Sequence, residues 1–141
     1  MKFCIGSDDA GPAPQAVIDR LRELGHDVTP CGPLAGEPRG WADVAHDVAR
    51  AVASGEADHG VLFCWTGTGV SMTANKTPGI RAALCGDAET ARGARAWNDA
   101  NVLCMSLRTT TPIIACEIID AWLAAEVDET EREQIARVEK A

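Results

Sequence analysis

Short apolar runs alternate along the chain with stretches whose apolar residues recur every three or four positions. Lys2-Phe3-Cys4-Ile5-Gly6 predicts a first strand. Pro12 and Pro14 open a helix, since proline is tolerated in the first turn. Val17, Leu21 and Leu24 carry its apolar face, and Gly25 suits its C-terminal cap. His26 to Pro30 predicts a weaker second strand, and residues 31–41 a loop rich in glycine and proline. Val44, Val48 and Val52 mark a second helix that stops at Ser54-Gly55. His59-Gly60-Val61-Leu62-Phe63-Cys64 is almost continuously apolar, as a strand buried on both faces should be. A short helix follows toward Lys76, and Pro78-Gly79 predicts a turn. Ile80 to Cys85 reads as a fourth strand and Asn101 to Met105 as a fifth. Between them Asp87 can cap a helix running through Arg95. Thr111-Pro112 opens a helix with Ile114, Ile118 and Trp122 on one face, Trp122 being a core residue by its spacing. Thr130 to Lys140 predicts a charged helix anchored by Ile135 and Val138.

Strands that alternate with helices imply an open parallel α/β sheet with helices on both faces. No repeat, low-complexity segment or linker interrupts residues 1–141, so a single domain is expected. In such sheets the ligand sits beyond the carboxyl ends of the strands. That rule directs attention to Gly6–Gly11, Cys64–Gly69, Asp87 and Arg108.

Charge narrows the function classes. Thirteen Lys and Arg stand against 21 Asp and Glu, a formal charge of −8. An acidic chain is a poor partner for nucleic acid or an anionic membrane surface. No apolar run approaches the ~20 residues of a membrane span. The first residues lack the apolar core of a secretory signal, so a cytoplasmic location is expected. Six cysteines, at 4, 31, 64, 85, 104 and 116, form no CxxC pair. A zinc site is therefore not expected, and most of these thiols should be small buried side chains. His26, His46 and His59 fall at element ends or on a helix, away from the strand-end mouth, which favours surface or structural roles.

The glycine loops fail three familiar patterns. Gly6 to Gly11 has the outer spacing of a phosphate-binding P-loop, but Pro12 stands where its lysine must be. Gly67-Thr68-Gly69 would need a glycine at Met72 to match a dinucleotide fingerprint. A phosphatase thiolate at Cys64 would need an arginine where Val70 stands. What remains is a cysteine at a strand end, followed by a Gly/Thr loop that enters a helix. Backbone N–H groups of Gly67, Thr68 and Gly69 could converge on one spot and stabilise an anionic intermediate. The same field would lower the Cys64 pKa and suit proton abstraction beside a carbonyl. The alternative is a buried cysteine that ends a strand before a loop that merely turns.

The chain resembles the ribose-5-phosphate isomerase B and galactose-6-phosphate isomerase family. The resemblance rests on Ile5-Gly6-Ser7-Asp8, Ala10-Gly11, Ala51 to Asp58, Cys64, Thr66-Gly67, Gly69 and Ala74-Asn75-Lys76. It continues through Gly79 to Cys85, Asn98 to Leu103, Arg108 and Arg137-Val138-Glu139-Lys140. It implies a three-layer α/β/α Rossmann-like sandwich with a five-stranded parallel sheet and a C-terminal helix. It also implies a homodimer, or a tetramer, with sites shared between subunits. The implied chemistry is aldose–ketose isomerisation through an enediolate, with no metal and no cofactor. On the matching positions Cys64 would move the proton between sugar carbons. Thr66 would shuttle the hydroxyl proton or open the ring, and Asp8 would hold sugar hydroxyls. Gly67, Thr68, Gly69 and Val70 would cradle the enediolate. Asn98 would arrive from the partner subunit, and Arg108 and Arg137 would hold the phosphate.

The departures from the family pattern cluster at the site. Asp9 and Trp97 replace two family histidines, Trp65 a glycine after the cysteine, Trp41 a tyrosine, and Glu133 a second phosphate arginine beside Arg132. Asp9, Trp41, Trp65 and Trp97 thus become candidate substrate contacts. The three indoles could wall a pocket for a different substrate, or could pack at a subunit interface. The sequence therefore predicts an isomerase with altered choice among small sugars or sugar phosphates. The alternatives are a non-catalytic small-molecule binding protein and a diverged proton-transfer enzyme on the same scaffold.

Overall fold

The computed structural model describes residues 1–140; Ala141, the last residue of the expected domain, lies outside them. Five strands form one sheet: β1 (Lys2–Ser7), β2 (Asp27–Cys31), β3 (His59–Cys64), β4 (Ala82–Leu84) and β5 (Val102–Ser106). Their order is β2-β1-β3-β5-β4, and every pairing is parallel. The helices are α1 (Pro12–Glu23), α2 (Trp41–Ala53), α3 (Thr68–Ala74), α4 (Ala88–Asn98), α5 (Pro112–Ala124) and α6 (Arg132–Val138).

Alternation along the strands builds two apolar cores. Phe3 and Ile5 of β1, Val61 and Phe63 of β3, and Leu103 and Met105 of β5 pack with α1, α4 and α5. On the other face Cys4, Leu62, Cys64, Val102 and Cys104 pack with α2 and α3. This is the expected α/β/α sandwich, with successive side chains pointing to opposite layers. Close packing of α2 on β1 uses Gly6, where any Cβ would collide with a Val44 methyl.

Several element ends differ from the sequence reading. The fourth strand is three residues rather than six. It is an edge strand with one neighbour, and Asn75 covers its open side: the side-chain amide accepts from Ala82 N–H and donates to Ala82 O. Such cover blunts a free edge. A 3-10 turn, Gly32–Ala35, interrupts the expected 31–41 loop. The charged C-terminal stretch starts as a 3-10 turn, Glu129–Glu131, and becomes helical only at Arg132; Val138 is exposed and Ile135 alone is its buried anchor. Leu24 caps α1, and Gly25 follows it with φ of 86°. Among the described residues no helix is long and apolar enough to cross a membrane.

Candidate active site

Strand register brings the candidate residues to the carboxyl end of the sheet. Ser7 pairs with Phe63 and Cys64 with Ser106, so the chain leaves β1, β3 and β5 side by side. Asp8 follows β1, and its N–H donates to Phe63 O at 3.3 Å. Leu107 N–H donates to Cys64 O, and Arg108 N–H to Trp65 O, each at 2.9 Å. Ser106 Oγ also donates to Trp65 O at 2.9 Å. The peptide groups of Cys64 and Trp65 are thereby held against the end of β5.

Cys64 is 5% exposed and faces the α2/α3 layer. Gly67 then turns the chain with φ of 76° and serves as the N-cap of α3. A Cβ there would lie 2.5 Å from the Leu84 side chain and 2.9 Å from the Met105 backbone carbon. Both the dihedral and the space require glycine. The N–H groups of Thr68, Gly69 and Val70 fall in the first turn of α3, where no intrahelical acceptor exists. Thr66 and Thr68 pair their hydroxyls at 2.8 Å.

Asp8 is the most unusual acid of the site. Its Oδ1 is buried with no hydrogen-bond partner among the described residues. Burial, and then the neighbouring Asp9 charge, raise its pKa above the ordinary carboxylate range. An acid so placed has free capacity to exchange a hydrogen bond or a proton with a bound hydroxyl. Asp8 and Asp9 line a cavity of about 410 Å³ together with Glu37 and Arg39. Glu37 and Arg39 come from the loop that precedes α2, where the sequence carried no sign of a role.

Arg108 lines a second cavity, about 390 Å³, with Thr66, Cys85, Ser106 and Thr109. One guanidinium among three hydroxyls is a donor-rich setting for an anion. Ser106 and Thr109 enter this group only through the fold, since nothing in their spacing marks them.

The indoles divide. Trp41, 46% exposed, is the first residue of α2, and its ring lies against Gly69: a Cβ on Gly69 would sit 2.9 Å from a ring carbon. Trp65 projects from the loop between Cys64 and Thr66 and is 63% exposed. Trp97 folds back over Gly93 of its own helix, with Arg92 5.1 Å above the ring centre.

Trp97, Asn98 and Arg137 are not brought to Cys64 within one chain. Helix α4 runs back along the sheet, so its last turn lies at the amino end of the strands. Helix α6 is tied to that same end by Arg132–Asp99 and Arg81–Glu139 ion pairs. Arg137 there pairs with Glu133 at 2.5 Å. Among the described residues no histidine stands at the strand-end mouth. His59 instead stacks on Phe3 and accepts from Trp122 Nε1 at 3.1 Å. Among the described residues no group of three or more His, Cys, Asp or Glu side chains could hold a metal ion.

Similarity to known proteins extends over nearly the whole chain. The family model described as Ribose/Galactose Isomerase matches residues 3–141. Ribose-5-phosphate isomerase B of Escherichia coli strain K12 is 38% identical over 128 residues, covering 90% of this chain and 86% of that one. D-erythrulose-4-phosphate isomerase of Pectobacterium atrosepticum is 38% identical over 130 residues, covering 91% and 86%. A solved structure of ribose-5-phosphate isomerase B from Clostridium thermocellum superposes with a TM-score of 0.90 at 36% identity, covering 99% of this chain and 96% of that one.

Proposed function

The chain belongs to the ribose/galactose isomerase family, and on that premise we propose that it interconverts an aldose and a ketose phosphate by proton transfer at Cys64. The carrying observation is the placement of Cys64 at the end of β3, with only Trp65 and Thr66 between it and the Gly67–Gly69 turn. The Cys64 thiolate takes the proton from the carbon beside the carbonyl and returns it to the neighbouring carbon. The enediolate formed between these steps has two oxygens. N–H groups from Gly67 to Val70 stabilise the charge on them. Thr66 and Asp8 carry the hydroxyl proton from one oxygen to the other, and Asp9 holds a hydroxyl farther along the sugar. The step uses no metal and no cofactor.

Arg108 holds the phosphate within the chain. A second copy contributes Asn98, Trp97 and Arg137, which stand at the opposite end of the sheet from Cys64. A homodimer with sites shared between its subunits accommodates both groups, and the 1–141 domain then functions only when paired. Six free cysteines fit a reducing, cytoplasmic setting.

Trp41 and Trp65 narrow the mouth around the turn and favour a short carbon chain. The erythrulose-phosphate isomerase relative acts, by its name, on a four-carbon ketose phosphate. The same size class is proposed here. Deuterium exchange from solvent into the carbon beside the carbonyl tests the reading across four-, five- and six-carbon sugar phosphates. Exchange with the wild type, strongest for the shortest substrates and lost in Cys64→Ala, is expected. No exchange with any substrate, or equal exchange in the variant, overturns it.

A further inference from the structure

A cavity of about 430 Å³ lies away from the strand-end site, beside β1, β2 and α2. Cys4 of β1 and Cys31 of β2 line it. Their Sγ atoms lie 3.0 Å apart. Cys4 is in register with Thr29, and Cys31 with Gly6, so the two thiols sit one side-chain repeat apart on neighbouring parallel strands and face the same layer. Both are free thiols. A disulfide holds its sulfur atoms at ~2.05 Å, about 1 Å closer than these two stand. Cys4 is buried, whereas Cys31 is partly exposed where β2 ends.

The two thiols are chemically unequal. The hydrogen bond from Cys4 holds the Cys31 pKa below its ordinary value, although burial and the Asp47 and Glu37 carboxylates act against it. That same contact, burial and the Asp47 and Glu56 charges push Cys4 upward. Arg39 favours the Cys31 thiolate. The accessible partner is therefore the nucleophile, and the buried one waits behind it.

We propose that Cys4 and Cys31 are a reversible thiol–disulfide site, oxidised by hydrogen peroxide and separate from the chemistry of Cys64. In the first step the Cys31 thiolate attacks a peroxide oxygen. The O–O bond breaks, and the departing oxygen leaves as water after protonation, with Cys31 as a sulfenic acid. Cys4 sulfur then attacks Cys31 sulfur. The S–S bond forms, the S–O bond breaks, and hydroxide leaves with the Cys4 proton as a second water. The two cysteines lose two electrons, and hydrogen peroxide gains two. A dithiol reductant reverses the change.

The bond would staple β1 to the last residue of β2. The Gly32–Ala35 turn and the loop to Trp41 leave from that residue, so oxidation fixes the base of the segment that carries Trp41 to Gly69.

The full chain is treated with a small excess of hydrogen peroxide, alkylated, digested and mapped by mass spectrometry. The expected product is a Cys4–Cys31 linked peptide pair, with the intact chain lighter by two hydrogens and restored by dithiothreitol. The wild-type map decides the matter without any variant. In Cys31→Ser the linked pair should vanish and Cys4 should remain alkylated, with circular dichroism to confirm folding. Recovery of Cys4 and Cys31 as separately alkylated thiols while other cysteines oxidise overturns the proposal. So does conversion of Cys31 to sulfinic acid without a linked peptide.

Discussion

Trp41 lies against Gly69, so the first residue of α2 covers the first turn of α3. The ring occupies the space that a Cβ at position 69 would need. Two glycines of one turn thus serve different ends: Gly67 allows the backbone to turn, and Gly69 admits an indole beside the open N–H groups.

This contact predicts how substrate length is selected. Trp41→Ala removes the wall while leaving Cys64 and the Gly67 turn in place. The ratio of kcat/KM for six-carbon over four-carbon sugar phosphates should rise about tenfold or more, a typical return for reshaping a pocket. An unchanged ratio would mean that the indole packs without meeting substrate.

A second prediction separates the two reasons for glycine. Gly36 has φ of 78° with nothing within 4 Å of an added Cβ, whereas Gly67 has φ of 76° and an added Cβ meets the Met105 backbone at 2.9 Å. Gly36→Ala should cost about 1 kcal/mol from backbone strain alone. Gly67→Ala should cost roughly 3 kcal/mol or more, because the β5 backbone cannot yield. Urea unfolding of both variants measures the difference. Equal costs would show that the turn relaxes and is not a fixed cradle.

His59 gives a pH prediction. Burial, and then the positive charge of Arg95, lower its pKa from 6.5 to about 4. The fold therefore selects the neutral imidazole, whose Nδ1 accepts from Trp122. Its contribution is fully present above pH 6.5 and is lost as pH falls toward 4, about 3 kcal/mol in all. Unfolding free energies between pH 7 and 4.5 should fall more steeply in the wild type than in His59→Gln. Parallel curves would show that His59 is protonated without cost.

Much of this was legible in the sequence because it follows from periodicity. The apolar run from His59 to Cys64 coincides with β3 at both ends, and Asp87 caps α4 through Thr90 N–H at 2.7 Å. The short β4 was not legible, since Ile80 and Cys85 are as apolar as the residues between them and only the neighbouring chain decides how far pairing extends. Cys64, Thr66 and the glycine turn could be read as one local segment. Cys4 and Cys31 could not be paired in advance, because their meeting depends on the register of β1 with β2. Arg39, Ser106 and Thr109 were equally hidden, since the fold alone gathers them around the cavities and no local period marks them.

The separation of Arg137 from Cys64 leads to the sharpest test of a shared site. Arg108 follows β5 at the carboxyl end of the sheet, while Arg137 sits on α6, tied by Arg81–Glu139 and Arg132–Asp99 to the amino end. If one site draws on both, a Cys64→Ala chain and an Arg137→Ala chain should each be inactive or severely impaired alone. Mixed, unfolded and refolded together, they should regain about one quarter of wild-type activity, since half the dimers are hybrids and each hybrid holds one intact site. The same mixture of Cys64→Ala with Arg108→Ala should regain nothing if Arg108 acts within its own chain, because every site then lacks one of the two groups. Recovery in the second mixture but not the first would reverse the assignment of the two arginines to their subunits.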